Sequence, residues 1–331
     1  MNERIAVLGS GRMGEGIALS YMLAGHEVVM IDFKRRDVDE RDSYYVAIRE
    51  RLREELRYLE ERAVVPEGAG EAILVRLSLV EHEAEDGSDD GNWSDIALAF
   101  EALPEVKGVK RDGFAWASRH FADDLVIAST TSTFLVTELA GMVSHPGRFM
   151  NAHWLNPAHL MPLVEVSKGL NTTQEAIDTL FESLGAIGKV PVLCGASPGY
   201  IVPRLQVLIM NEAARMVEEG VASADDIDTA IRIGFGLRYS VLGVLEFIDW
   251  GGGDTLYYAS NYLVDALDER FRAPEVIHTN MREERRGFRD GRGFFDYTGV
   301  DLMARRRHRS DEFLERLRLS DLLPIVAISD D

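Results

Sequence analysis

The stretch that decides the fold of this chain is Arg4-Ile5-Ala6-Val7-Leu8-Gly9-Ser10-Gly11-Arg12-Met13-Gly14. Its apolar run leads directly into a Gly-x-Gly-x-x-Gly turn, and a later apolar run, Val28-Val29-Met30-Ile31, ends on Asp32. That order predicts a strand, a glycine turn, a helix, a second strand and an acid, which is typical of a dinucleotide-binding unit. We therefore predict a Rossmann-type fold.

Each position of the turn has a physical task. The first glycine permits the tight turn, the second lets the backbone approach a pyrophosphate, and the third lets the helix pack on the strand. We expect five residues to contact the dinucleotide: Gly9, Gly11, Arg12, Met13 and Gly14.

Asp32 is placed to accept hydrogen bonds from the adenosine ribose hydroxyls. Its charge repels a 2′-phosphate, so the sequence favours NAD over NADP as the cofactor. Lys34, Arg35 and Arg36 follow immediately and could bind such a phosphate. We interpret these three residues as a solvated basic loop.

Composition limits the classes of protein to which the chain can belong. Its 331 residues, 46% of them hydrophobic, suit two globular domains. A net charge of −20 opposes binding to nucleic acid or to anionic membranes. No run approaches the roughly 18 apolar residues of a membrane span. The single cysteine, Cys194, has no partner for an intramolecular disulfide, so we predict a cytoplasmic protein.

Short apolar segments alternate with helical ones as far as Cys194, which predicts a parallel sheet with right-handed crossovers. Beyond Ser197-Pro198-Gly199 the pattern becomes helical, with one long helix over 203–219 and another that starts at Ser223. The acidic, glycine-rich residues 83–94 predict an exposed loop. We predict an α/β chain with an NAD-binding Rossmann domain over 1–194, an all-α domain over 195–303, and a C-terminal tail over 304–331.

The residues with the most evident chemistry lie in Asn151-Ala152-His153-Trp154-Leu155-Asn156-Pro157 and in Leu163-Val164-Glu165-Val166. A carboxylate between valines on a buried strand needs a partner, and His153 is the natural one. Such a pair supplies an imidazole to exchange a hydroxyl proton and a carboxylate to orient it. A purely structural pair stays open as an alternative. His159 is also near, but its spacing from His153 matches no helical pair of ligands, so we predict no metal site.

Several segments, in this order, resemble the L-3-hydroxyacyl-CoA dehydrogenase family over almost the whole chain. They are the glycine turn, Ala128-Ser129-Thr130-Thr131-Ser132-Thr133, Ala152-His153-Trp154-Leu155-Asn156-Pro157, Leu163-Val164-Glu165-Val166 and Ser197-Pro198-Gly199-Tyr200-Ile201-Val202. The resemblance implies that His153 is catalytic and that Glu165 orients it. It also implies that Ser132 bonds the substrate oxygen, that Asn156 lies near the nicotinamide, and that Glu105 and Lys110 lie beside the cofactor. A homodimer joined through the helical domain is implied as well.

Three departures from the family pattern concern the substrate. Pro203 stands where the family usually has asparagine, which removes one polar contact. Leu59-Glu60-Glu61-Arg62-Ala63 stands where the family carries basic residues for coenzyme A phosphates. The segment Phe235-Gly236-Leu237-Arg238-Tyr239-Ser240-Val241-Leu242-Gly243 looks more like the branch that includes gulonate and carnitine dehydrogenases. There Arg238 could bind a substrate carboxylate through two hydrogen bonds, or form an ion pair at a surface.

Three hypotheses follow for the function. The first is NAD-dependent oxidation of a 3-hydroxy acid or its acyl thioester, with a preference for a small carboxylate without CoA. The second is ordinary L-3-hydroxyacyl-CoA dehydrogenase activity. The third is a catalytically weak, cofactor-binding protein like the crystallin relatives of the family, which Pro203 alone supports.

Overall fold

A computed structural model describes residues 3–82 and 93–325 of the chain. The predicted exposed loop over 83–94 therefore lies almost entirely outside the described residues. At its end, however, Trp93 is buried, with its ring centroid 5.3 Å from that of Trp116. The chain divides into two compact units, Met1–Ile209 and Met210–Asp331.

The described residues of the first unit form one eight-stranded sheet with the order β3-β2-β1-β4-β5-β6-β7-β8. The strands are β1 Arg4–Leu8, β2 Glu27–Asp32, β3 Leu77–Glu81, β4 Ile96–Glu101, β5 Val126–Ser129, β6 Phe149–Trp154, β7 Leu163–Lys168 and β8 Val190–Cys194. The helices are α1 Arg12–Leu23, α2 Val38–Glu61, α3 Gly70–Leu74, α4 Lys107–His120, α5 Val136–Leu139, α6 Gln174–Ala186 and α7 Val202–Glu218, the last of which runs on into the second unit. Two 3₁₀ turns occupy Ala140–Met142 and Pro146–Arg148.

Strand β1 shows why the central runs are apolar without alternation. Ile5 and Val7 pack with α1, α2 and α6 on one face, while Ala6 and Leu8 pack with α4 on the other. Successive side chains of a strand point to opposite faces, so a sheet covered on both sides needs apolar residues at every position. The predicted Rossmann-type fold is confirmed.

Two features of the sheet differ from the prediction. Strand β3, at the edge, had no predicted counterpart, and β7 runs antiparallel to β6 while every other neighbouring pair is parallel. A parallel connection needs a crossover of about a dozen residues or more, and the loop over 155–162 that joins β6 to β7 is too short for one. The antiparallel direction fixes which residues of β6 and β7 face each other.

The described part of the second unit is helical, as predicted. Its elements are α8 Ala224–Thr229, a π-helical turn Ala230–Gly236, α9 Leu237–Tyr239, α10 Val244–Gly251, α11 Gly253–Ala266, α12 Glu275–Arg282 and α13 Leu302–Leu319, with 3₁₀ turns at Glu269–Phe271 and Phe288–Asp290. The predicted helix start at Ser223 is confirmed, because its hydroxyl oxygen accepts the Asp226 N–H at 3.1 Å. Most of the residues 304–325 that were predicted as a tail belong to α13.

Two buried carboxylates of α10 hold the end of the second unit. Asp249 accepts the backbone N–H groups of Phe294 and Phe295, both at 2.9 Å, and the Tyr297 hydroxyl at 3.0 Å. Glu246 pairs with two arginines of α13, Arg305 at 2.6 Å and Arg309 at 2.9 Å. A buried charge is stable only when it is paired or hydrogen-bonded, so these contacts anchor the late turn and α13 on α10.

Among the described helices, none combines the length and the apolar character that crossing a membrane requires.

Candidate active site

Two glycines of the turn lie too close to neighbouring backbone to carry a side chain, and the third faces open space. Gly9 has φ +113°, and a Cβ there would lie 2.7 Å from the Ala102 carbonyl oxygen. A Cβ on Gly14 would lie 2.2 Å from the Gly9 oxygen, so α1 packs directly on the turn. Around Gly11, by contrast, no described atom lies within 4 Å of an added Cβ. The turn therefore leaves room for a ligand at the position where a dinucleotide approaches the backbone.

This open side belongs to a groove of about 650 Å³ at the carboxyl ends of β1, β2, β4 and β5. The groove brings together eight predicted cofactor or substrate residues, which are Gly9, Gly11, Arg12, Met13, Asp32, Glu105, Lys110 and Ser132. In parallel α/β sheets, ligands bind at this edge. Gly14 does not line the groove, and its role is the close packing of α1.

The interpretation of Arg36 as part of a solvated loop is wrong. Its side chain is 7% exposed, it donates a hydrogen bond to Asp32, and its guanidinium carbon lies 3.9 Å from the centroid of the Tyr44 ring. Lys34, at 69% exposure, does face solvent. A basic run in a sequence indicates positive charge. It does not show whether one of its side chains folds back on an acid four residues earlier in the chain.

Two glutamates organise the loop after β5. Glu101 and Lys110 are both fully buried, with Lys110 Nζ 2.9 Å from Glu101 Oε1. Burial raises the pKa of Glu101, while Lys110 and the Ser129 hydroxyl act in the opposite direction. Glu105 accepts the Thr131 hydroxyl at 2.9 Å and the Ser132 N–H at 2.6 Å. Lys110 thus lines the groove with its ammonium group already paired, and Glu105 fixes the backbone of Ser132.

His153 and Glu165 face each other directly across the antiparallel β6–β7 pair. His153 Nδ1 lies 2.9 Å from Glu165 Oε2, and both side chains are buried. The other carboxylate oxygen, Oε1, accepts the N–H groups of Ile201 at 2.9 Å and Val202 at 2.8 Å, where α7 begins. Because the carboxylate can only accept, Nδ1 carries the proton and Nε2 keeps a lone pair.

Tyr200 is a residue of this site to which sequence reasoning assigned no role. Its ring stacks on the His153 ring, with centroids 4.8 Å apart and planes inclined by 12°. Its hydroxyl donates to the Thr131 carbonyl at 2.7 Å and accepts from Asn151 Nδ2 at 3.0 Å. Burial raises the pKa of Tyr200, so the hydroxyl stays neutral. Tyr200 therefore connects the histidine with the loop that lines the groove, and the Ser-Pro-Gly-Tyr segment was its only signal in the sequence.

Asn156 lines a second cavity of about 390 Å³, bounded by α1, α2 and the loop after β6, and Arg12 lines both cavities. Lys189 holds that loop, because its buried Nζ donates to the carbonyls of Ala158 at 2.7 Å and Met161 at 3.0 Å. Desolvation lowers the pKa of Lys189. Sequence reasoning missed this residue, since a lysine directly before a strand gives no sign of burial.

The remaining candidates fall in separate places. His159 pairs with Glu55 at 2.9 Å and so does not join His153. Within residues 3–82 and 93–325, no cluster of three or more His, Cys, Asp or Glu side chains could hold a metal ion. Arg238 belongs to the second unit, where its guanidinium carbon lies 4.6 Å from the centroid of the Phe247 ring. Pro203 is the second residue of α7 and follows the two N–H groups that Glu165 accepts.

Comparison with known protein families gives two adjoining matches. A model described as the NAD-binding domain of 3-hydroxyacyl-CoA dehydrogenase matches residues 4–197, and one described as the C-terminal domain of the same enzyme matches residues 199–297. Together they cover most of the chain and meet at residue 198, while α13 lies beyond the second match.

Individual proteins similar to the chain differ in the substrates that their names print. The mitochondrial hydroxyacyl-coenzyme A dehydrogenase of Sus scrofa is 31% identical over 89% of the chain and 91% of that protein. The 5-formyl-3-hydroxy-2-methylpyridine 4-carboxylate 5-dehydrogenase of Mesorhizobium japonicum is 28% identical over 96% of the chain and 98% of that protein. The crystal structure of a 3-hydroxyacyl-CoA dehydrogenase from Archaeoglobus fulgidus is 28% identical, with a TM-score of 0.73, and covers 97% of the chain and 100% of that protein.

Proposed function

Because the chain belongs to the 3-hydroxyacyl-CoA dehydrogenase family, we propose that it oxidises a 3-hydroxy acid or 3-hydroxyacyl substrate to the 3-oxo product, with His153 and Glu165 as the acid/base pair. It is an NAD-dependent dehydrogenase that acts on a CH–OH group. The observation that carries the proposal is the contact of 2.9 Å between His153 Nδ1 and Glu165 Oε2.

NAD, when bound, accepts the hydride from the substrate carbon. Gly9, Gly11, Arg12, Met13 and Asp32 would hold it, since they line the groove whose open side lies at Gly11. The observation that supports this fit is the free space beside Gly11, which lines the groove. A side chain at that position would occupy space that the cofactor needs.

In this mechanism His153 Nε2 takes the proton of the substrate hydroxyl, and in the reverse direction it returns that proton to the forming alkoxide. Glu165 keeps Nδ1 protonated and stabilises the imidazolium by its charge. Two helix N–H groups on Glu165 Oε1 hold the carboxylate in place, so the ring cannot turn without breaking its buried hydrogen bond to Glu165.

Ser132 and Asn156 complete the proposed site. The Ser132 backbone is fixed by Glu105, which leaves its hydroxyl to hydrogen-bond the substrate oxygen. Asn156 follows His153 on the loop after β6, and we place it near the nicotinamide. Thr131 links this region to His153 through the Tyr200 hydroxyl, which supports a common site for the groove and the histidine.

We infer that the substrate is a small carboxylate without CoA. Negative charge dominates the chain, and the acidic segment at the end of α2 is used internally, since Glu60 Oε1 accepts the Gly70 N–H at 2.7 Å. The Mesorhizobium relative is named for a pyridine carboxylate, and Arg238 offers a guanidinium to such a group. The alternative, ordinary 3-hydroxyacyl-CoA dehydrogenase activity, is favoured by the name of the Sus scrofa relative.

We further propose a homodimer formed through the helical domain. Helix α7 has no buried residue in the single chain, and its apolar side chains include six that are between 43% and 67% exposed: Leu205, Val207, Leu208, Ile209, Met210 and Val217. So much exposed apolar surface on one helix is typical of a region that a second subunit covers. The unpaired Cys194 supports the cytoplasm as its compartment.

A substrate panel monitored by NADH absorbance tests the proposal. Turnover of free 3-hydroxy acids without turnover of 3-hydroxybutyryl-CoA is the expected result. Turnover of the CoA ester would instead support the alternative, and NADH binding without any turnover would support the catalytically weak, crystallin-like protein. His153→Ala must abolish the activity found, since unchanged turnover in that variant would contradict the assigned acid/base pair.

A further inference from the structure

The adenosine end of the groove contains both an acid and a nearly buried arginine. Asp32 ends β2, and Arg36 lies four residues later with its side chain folded back on the carboxylate. Both residues line the groove. An acid at this position is typical of NAD binding, whereas an arginine nearby accommodates the 2′-phosphate of NADP.

Several contacts fix the position of the Arg36 side chain. Its Nη1 donates to Asp32 Oδ2 and to the Lys34 carbonyl at 3.1 Å, and its Nε lies 3.7 Å from the exposed Glu40 carboxylate. One face of the guanidinium lies on the Tyr44 ring. The Tyr44 hydroxyl in turn donates to the Ser10 carbonyl at 2.8 Å, so the arginine is braced against the glycine turn itself.

This arrangement leaves hydrogen-bonding capacity for either kind of ribose. A carboxylate offers about four acceptor sites, and within the described residues the Asp32 carboxylate accepts only the Lys34 N–H and Arg36. Arg36 Nη2 donates to no described residue, so it has N–H groups left for an oxyanion. Pairing also neutralises the charge with which Asp32 alone would repel a 2′-phosphate.

We propose that Arg36 determines cofactor selectivity and that it allows the groove to accept NADP(H) in addition to NAD(H). Asp32 bonds the ribose hydroxyls of NAD(H), while Arg36 binds the 2′-phosphate of NADP(H) from its fixed position on Tyr44. The inference rests on the dinucleotide groove and not on the identity of the substrate.

Equilibrium binding of NADH and NADPH to the purified full chain, followed by nucleotide fluorescence, tests this without any turnover. The measured quantity is the ratio of the Kd for NADPH to the Kd for NADH. We expect a ratio below about ten for the natural chain and a rise of at least about tenfold in Arg36→Met, because charge-assisted bonds to the phosphate are lost. Arg36→Lys, which keeps the charge but not the fork of donors, should fall between the two.

Arg53→Gln is the matched control, because it also removes one arginine charge that is paired with carboxylates, here those of Glu50 and Glu71. Arg53 lies in α2 and does not line the groove. Its ratio should equal that of the natural chain. A natural ratio above about ten, or a ratio that Arg36→Met raises less than about tenfold, would overturn the proposal. Circular dichroism of each variant separates lost binding from lost folding, and Arg36→Lys decides the matter if Arg36→Met does not fold.

Discussion

Replacing Glu165 by glutamine should switch the proton of His153 from one ring nitrogen to the other. The natural carboxylate accepts on both oxygens, from His153 Nδ1 at 2.9 Å and from the N–H groups of Ile201 and Val202. Glutamine has one oxygen and one NH₂ group, so it can satisfy only one of these two sides as the glutamate does.

The two orientations of the glutamine differ greatly in free energy. Turning NH₂ toward α7 would leave two partly buried N–H donors without their acceptor, which costs at most about 1–3 kcal/mol for each donor. Turning the oxygen toward α7 keeps both bonds and places NH₂ against His153 Nδ1. That nitrogen must then accept, which moves the proton to Nε2 and removes the lone pair that takes the substrate proton. We expect kcat to fall by about 10²- to 10⁴-fold.

The assay is steady-state NADH formation with the best substrate of the panel, measured across pH, together with side-chain nitrogen NMR of the histidines. The NMR spectrum reports which ring nitrogen bears the proton even if no substrate is known. Glu55→Gln is the matched control, because Glu55 pairs with His159 at the same distance of 2.9 Å. A Glu165→Gln protein that keeps the proton on Nδ1, or that loses less than about threefold in kcat, would refute the tautomer argument.

Four further substitutions test the rest of the site. Gly11→Ala should fold normally, because no described atom lies within 4 Å of the added Cβ, yet it should weaken NADH binding at least about tenfold. Gly14→Ala should lower the melting temperature, because its added Cβ would overlap the Gly9 carbonyl oxygen. Tyr200→Phe leaves the Thr131 carbonyl without its donor and should lower the free energy of unfolding in urea by about 1–3 kcal/mol. Lys189→Met should lower it by at least a similar amount of about 1–3 kcal/mol, because several loop carbonyls lose one shared donor, and an unchanged urea midpoint would contradict the bracing role.

The sequence predicted the elements that depend on local signals. The glycine turn, the alternation of strands and helices and the cap at Ser223 are each set by residues close together in the chain, and the structure contains all of them. The partner of Glu165 was also predictable, because a buried carboxylate requires one and His153 was near. Whether that pair performs catalysis is a prediction that the substitutions above test.

The features that escaped prediction depend on direction or on side-chain conformation. Hydrophobic periodicity identifies β7 as a strand but carries no information on whether it runs parallel to β6. The edge strand β3 has only one buried residue, with one exposed and three half-buried, and it contains a serine and a glutamate, which weakens its apolar pattern. Tyr200 meets His153 only because the chain turns sharply through two consecutive residues with positive φ, Gly199 at +78° and Tyr200 at +46°.

Three buried cations show that the net charge of the sequence does not predict which charged side chains are buried or what pairs with them. Lys110 is neutralised by Glu101 and Arg36 by Asp32, each in a pair formed after folding brings two positions of the chain together. Lys189 has no such carboxylate among the described residues and is held by backbone carbonyl oxygens. Removing one member of a buried ion pair leaves the other member as a buried charge without a partner. Removing Lys189 leaves only neutral carbonyl oxygens without a donor. The first two cations should therefore tolerate substitution less well than Lys189, although all three have the same formal charge in the sequence.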